Sequence, residues 1–425
     1  MRSSCVFAML AAVALPALSR PAAAQVPTRT LAKPVGEYAE PFSQLSAVRE
    51  LKDGRLLVVD SRDKLVQLIN LATNSAAKVG REGSGPGEYG LPTQLFAMPG
   101  DSSVIFDPLN QRYLTVHPDG KPGASFRVGD ESAGPPGPPP GPPRPPQGPR
   151  PPAGAQGGAQ VIRIGGLGFG MPRASDARGR LYFEGGGLSM GPNGPVAADT
   201  APIVRYDRAT KAVDTLAWVR LPKNNASVKS SGSGGNQRME VRIGGRTPYP
   251  SRDGWTVLAN GTLVIVRVAD YHLELVSPTR VVTRGPAVAH TPVAVGNAEK
   301  QEYRDAAKNT GGIAIMRTEG GPGGAQTRAS SGPPPFEEPA EWPATKPPFS
   351  ASDIFAAPTG EIWVARNRAA SDAVPSYDVF SPAGSLTSRV LLPKKTRVVG
   401  FGAGGAVYTV RLDEDDLQYL QRFRR

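Results

Sequence analysis

The chain runs to 425 residues, with 49 Lys and Arg against 37 Asp and Glu, a net charge of +12, 50 Gly, 45 Pro and one Cys. That length is ample for a large hydrophobic core, and a single thiol excludes a disulfide framework or a thiolate metal centre. The basic residues are scattered among Gly, Pro and Asp rather than clustered with aromatics, so the charge reads as a solvated surface and no nucleic-acid partner is expected.

Residues 1–24 read as a secretory signal peptide. Arg2 supplies the positive start, residues 6–18 are mostly apolar, and Ala22-Ala23-Ala24 before Gln25 forms a small-residue cleavage site. The apolar part falls short of the roughly 20 residues that span a bilayer. The expectation is a periplasmic or secreted protein with no membrane span after cleavage. Cys5 leaves with the signal, and loss of Arg2 and Arg20 takes the charge from +12 to +10.

From there one phrase recurs: a tight turn, a short apolar run, then a charged residue at a fixed offset. It opens as Asp53-Gly54-Arg55-Leu56-Leu57-Val58-Val59-Asp60. Weaker copies are Asp101-Ser102-Ser103-Val104-Ile105-Phe106-Asp107 and Arg178-Gly179-Arg180-Leu181-Tyr182-Phe183-Glu184. It returns as Asn260-Gly261-Thr262-Leu263-Val264-Ile265-Val266-Arg267, as Thr359-Gly360-Glu361-Ile362-Trp363-Val364-Ala365-Arg366, and as Gly404-Gly405-Ala406-Val407-Tyr408-Thr409-Val410-Arg411.

After each charged position a second strand pair surrounds another turn. Tyr377-Asp378-Val379-Phe380, for example, meets Ser381-Pro382-Ala383-Gly384, where Pro and Gly supply the φ values of a tight turn. Each unit thus reads as four antiparallel strands. Consecutive apolar residues such as Leu56-Leu57-Val58-Val59 suit a strand covered on both faces, the situation inside a propeller blade. Six units, with uninterrupted spacings of about 45 residues, predict an all-β fold: a six-bladed β-propeller of four-stranded antiparallel blades.

Three insertions interrupt the repeat. Residues 134–152 are almost wholly Pro, Gly and Arg and predict a disordered loop. Residues 224–245 are rich in Ser, Gly and Asn and predict a mobile segment. Residues 283–348 form the longest insertion and predict a short helix from Ala298 to Lys308. Asn297 is its cap, Tyr303, Ala306 and Ala307 are its apolar face, and Gly311 is its stop. The last unit ends one strand short, whereas residues 28–33 offer a spare extended stretch. Pairing Thr28 to Lys33 as the outer strand of the last blade would close the ring and cover two sheet edges.

The segment Asp107-Pro108-Leu109-Asn110-Gln111-Arg112-Tyr113-Leu114-Thr115-Val116 resembles the Asp-x-x-Asn-x-Arg-hydrophobic signature of NHL-type propeller repeats, and Asp60-Ser61-Arg62-Asp63-Lys64-Leu65 is a looser copy. Gly83-Ser84-Gly85-Pro86-Gly87-Glu88-Tyr89 with Pro92, and the tail from Gly400 to Leu420, resemble parts of exported bacterial six-bladed propellers. The last three units lack the Asp-x-x-Asn-x-Arg pattern. The resemblance implies a fold and a compartment and no activity.

Several enzyme signatures fall away. Gly187-Leu188-Ser189-Met190-Gly191 matches a nucleophile elbow in letters only, because Pro192-Asn193-Gly194-Pro195 cannot begin the helix an elbow requires. The Gly-rich stretch 80–90 lacks the Gly-Lys-Ser/Thr of a phosphate cradle. His117, His272 and His290 have no second ligand at metal spacing.

One constellation remains. The residue six positions after each turn is Asp60, Asp107, Gly185, Arg267, Arg366 and Arg411, and it ends the second strand on the face where propellers usually bind ligands. Arg267, Arg366 and Arg411 would converge on one arc of the channel mouth and hold a carboxylate or phosphate. Alternatively Asp60 and Asp107 cap their own loops and the arginines pair with local acids such as Asp270, Asp372 or Asp413.

The reading is of a monomeric binding or scaffold module that recognises a small anion or a protein partner at the channel face. No catalytic residue, cofactor or metal is assigned. The alternative is a hydrolase resembling exported lactonase and esterase propellers, which coordinate calcium in the channel, with Asp60, Asp107 and Glu184 as contributors. Calcium wants six to eight oxygens, and three arginines at equivalent positions would repel it.

Overall fold

A computed structural model describes residues 26–128, 169–186, 188–191, 194–222, 227–231, 238–242, 247–309, 316–321, 324–329, 336 and 338–425. Residues 1–24 and 134–152, expected to be a signal peptide and a disordered loop, lie outside the described residues.

Six antiparallel sheets follow one another along the chain. Blade 1 is Leu45–Glu50, Leu56–Asp60, Leu65–Asn70 and Ser75–Lys78. Blade 2 is Gln94–Ala97, Ser103–Asp107, Arg112–Val116 and Pro122–Phe126. Blade 3 is Phe169–Ser175, Leu181–Gly185, Thr200–Tyr206 and Val213–Arg220. Blade 4 is Gly254–Val257, Leu263–Arg267, His272–Val276 and Val282–Arg284. Blade 5 has Phe349–Ala356, Ile362–Arg366, Ser376–Phe380 and Leu386–Leu391, and blade 6 has Thr396–Phe401, Ala406–Leu412 and Gln418–Arg424.

The turns behave as the repeat requires. Gly54 and Gly261 sit at φ +84° and +85° and donate to Leu51 O and Leu258 O. In blade 2 Asp101 takes the same place at φ +62°, a conformation that costs a non-glycine residue but is tolerated by Asp.

Each blade face is covered by a neighbour, which explains the uninterrupted apolar runs. Leu56 and Val58 pack with Tyr408 and Val410 of blade 6, whereas Leu57 and Val59 pack with Ile105 and Leu114 of blade 2. Equivalent cores join blades 2 and 3, 3 and 4, 4 and 5, and 5 and 6. Six cores for six interfaces make a closed ring.

Closure uses the N-terminal segment, one step along from the expected residues. Thr28–Thr30 pairs parallel with Leu386–Leu391, as a fifth strand on blade 5 rather than the outer strand of blade 6. Gly36–Glu37 takes that outer place, antiparallel to Gln418–Arg424. Leu31 settles the matter: it is buried between blades 5 and 6, while Tyr38 and Phe42 are buried between blades 6 and 1. Those anchors fix which blade each extended piece can reach.

The insertions carry structure of their own. Ser227–Ser231 pairs with Arg238–Arg242 as a hairpin. In the longest insertion a helix spans Asn297–Asn309, and the amide at Gly296 is satisfied by the Glu299 carboxylate, 3.0 Å away. The other Glu299 oxygen accepts from Ala370 N at 3.0 Å, which ties the helix onto blade 5.

Candidate functional site

The second strand of each blade ends beside the start of the first: Leu45 faces Asp60, Phe349 faces Arg366 and Thr396 faces Arg411. The constellation therefore does lie on one face, here termed the upper face. Its members have separate surroundings.

Asp60 is buried and accepts from the amides of Ser43, Gln44, Arg62 and Asp63. Asp107 is fully buried and accepts from Gly90 N, Leu91 N and the Asn110 side chain. Both carboxylates cap loops, and Gly185 has no side chain to offer. Glu184 accepts from Trp255 Nε1 at 2.8 Å and pairs with Arg173 and Arg252. Its burial works against the charge. The hydrogen bonds and charge of Arg252, with Trp255 and Arg173, outweigh that and hold the carboxyl below its usual range. A shared cation does not fit these three acids: their oxygens are already taken, in three different blades. Among the described residues no three His, Cys, Asp or Glu side chains converge on a common point.

The arginines part company in the same way. Arg267 is engaged at every nitrogen: Nε and Nη2 donate to Glu274, and Nη1 donates to Asp253 and to Trp218 O. Arg411 pairs with Glu37 at 3.3 Å and lies over the Tyr419 ring. Among the described residues Arg366 pairs with one acid, Asp378, its Nε 3.3 Å from Oδ2, and that carboxylate is itself bound by Tyr271 and Arg389. The three guanidinium groups share no partner.

Arg366 lines a cleft of about 280 Å³ between the helix Asn297–Asn309 and the loop that follows the second strand of blade 5. Tyr249, Glu302, Tyr303, Ala306, Lys346, Asn367 and Arg368 complete it. Lys346 is 5 % exposed, and its ammonium meets Glu302 Oε2 at 2.6 Å, Arg368 O at 2.9 Å and the Tyr249 ring at 4.6 Å. The Tyr249 hydroxyl donates to Glu299 O on the helix, and burial beside Glu302 pushes its ionisation well above the usual range. Three cations face one carboxylate in this lining.

Most of these residues escaped the sequence reading. Tyr249, Glu302 and Lys346 lie in connecting segments outside the repeat, where no offset marks them. One signal was available: Arg366-Asn367-Arg368 has strand-like alternation, and Asn367 turns the other way to donate to Pro347 O and Phe349 O.

No protein-family model and no curated protein matches the chain. Solved structures similar to it include regucalcin from Agrobacterium tumefaciens str. C58, described as a calcium-binding protein, at 10 % identity, TM-score 0.40 and coverage of 94 % of this chain and 96 % of that one. Virginiamycin B lyase from Staphylococcus aureus is 8 % identical at TM-score 0.33, covering 92 % and 88 %. A Bacteroides fragilis protein described as exported is 11 % identical at TM-score 0.43, covering 91 % of each chain. Likeness at this level says nothing of activity. The six-bladed assignment rests on the strand pairing and the six cores.

Proposed function

We propose that this protein is an exported binding module whose upper face holds a small anionic ligand at Arg366. One observation carries the reading. Neither Nη of Arg366 has a hydrogen-bond partner among the described residues, although the side chain lines a cleft with Arg368 and Lys346. A guanidinium fork held at Nε and open at both Nη groups is pre-organised for a carboxylate or phosphate. Arg267, at the same blade position, has no such opening because two acids and a carbonyl occupy it.

The test is a thermal-shift screen of carboxylated and phosphorylated compounds, followed by calorimetry on the best of them. Losing a charge-assisted contact of about 1.5–3 kcal/mol weakens binding roughly ten- to a hundredfold in Arg366→Ala. Arg411→Ala, outside the cleft, leaves the affinity unchanged. A ligand indifferent to Arg366 rejects the site. Export is tested separately by sequencing the N-terminus of protein recovered from the periplasm and medium, where Gln25 is the expected first residue.

A further inference from the structure

We infer that the cleft beside Arg366 takes a zwitterion, an α-amino acid with an apolar side chain, rather than a simple anion. The inference rests on the anion-binding reading above and concerns what else the same ligand must carry.

The walls differ in charge. The blade wall presents Arg366, open at both Nη groups, and Arg368, whose Nη1 reaches the carbonyls of Ala369 and Asp372. The helix wall presents Glu302. Its Oε2 is consumed by Lys346, whereas among the described residues Oε1 has Arg368 Nη1 at 3.6 Å, beyond hydrogen-bond length, and no hydrogen-bond donor. Lys346 spends its ammonium on Glu302, Arg368 O and the Tyr249 ring, so it offers a ligand nothing further. What remains is an acceptor on the helix and a donor fork on the blade. A carboxylate and an ammonium on one ligand satisfy both. A phosphate or a dicarboxylate satisfies the fork but leaves Glu302 Oε1 without a donor.

Tyr303 and Tyr249, edge to face at 5.8 Å, add an apolar surface to the lining. A cleft of about 280 Å³ lies just below the range of roughly 300–1,000 Å³ usual for ligand pockets, so it suits a small ligand.

The experiment is calorimetry on the full mature protein with three probes of one shape: L-leucine, 4-methylpentanoate, which lacks the ammonium, and 3-methylbutylamine, which lacks the carboxylate. Leucine is expected to bind at least tenfold more tightly than 4-methylpentanoate, and the amine not to bind. Glu302→Gln is expected to erase the advantage of leucine and leave 4-methylpentanoate unchanged or improved. If 4-methylpentanoate equals or exceeds leucine on the native protein, the zwitterion is overturned while the anion site stands. If leucine and 4-methylpentanoate both fail to bind, and so do acetate and inorganic phosphate, the anion site falls and this inference with it. The native-protein comparison decides the matter even if Glu302→Gln, which strips buried Lys346 of its counter-charge, does not fold.

Discussion

Asp107, Asn110 and Arg112 show what the repeat signature does physically. Asp107 takes the amides of Gly90 and Leu91, Asn110 donates to Gly83 O at 3.0 Å, and Arg112 donates to the carbonyls of Ser84, Gly85 and Glu88. Three side chains from one turn thus fasten the whole loop between blades 1 and 2. Arg112→Ala leaves three carbonyls without that donor and should cost about 1–3 kcal/mol, read as a lower denaturation midpoint. Arg112→Lys should not restore the loss, because an ammonium cannot span the fork geometry. A midpoint unchanged in Arg112→Ala would show that the loop holds without its clamp. The same scale separates Arg366 from Arg267: equal backbone positions, but one side chain has Asp253 and Glu274 within reach and the other has Asp378 alone, shared with Arg389.

Two short N-terminal strands bind neighbouring blades, and they differ in what they bury. Thr28–Thr30 is exposed, and Leu31 is the anchor that follows it. Gly36–Glu37 is followed by Tyr38 and Phe42, both in the core that joins the last blade to the first. Deleting residues 26–33 should lower the melting temperature by uncovering an edge of blade 5. Deleting residues 26–42 should lower it much further, because the 6–1 interface opens. Phe42→Ala isolates the second effect at about 3–5 kcal/mol. Equal melting temperatures for the two deletions would mean that closure does not depend on Tyr38 and Phe42. The helix Asn297–Asn309 is an element of another kind: it adds no blade, yet it supplies one wall of the cleft.

Across the whole molecule each inter-blade core contains at least one tyrosine whose ionisation is raised, mainly by burial, and the core between blades 6 and 1 holds two, Tyr38 and Tyr408. Taking one from each core, they are Tyr89, Tyr113, Tyr182, Tyr271, Tyr377 and Tyr408. Tyr182, Tyr271 and Tyr408 also donate to Asp176, Asp378 and Glu50, whose charges oppose a second anion. Tyr377 is pushed up to about 12. An unburied tyrosine ionises near pH 10. The folded values lie above that, so the folded ring keeps protons that the unfolded chain releases. This stability is intact below about pH 10 and is lost as pH rises from there towards the folded values, at about 1.4 kcal/mol per pH unit for each tyrosine. In an alkaline titration, the tyrosinate absorbance of these six should therefore appear together with the loss of the β circular-dichroism signal. Full tyrosinate absorbance near pH 10 with the blades intact would contradict it.

Blade count, strand order and turn positions could be read from the residues alone, because they depend on local causes. A turn needs positive φ at Gly54 or Asp101, and a run such as Leu56-Leu57-Val58-Val59 needs a partner on both faces. The helix was legible for the same reason. Which extended piece closes which blade was not, since Leu31, Tyr38 and Phe42 look alike until the cavities they fill exist. Nor could a common offset reveal which arginine stays open. A guanidinium binds whatever acid the fold brings within about 4 Å, and Asp253, Glu37 and Asp378 come from other segments of the chain. Local chemistry set the frame, and distances between distant residues set the site.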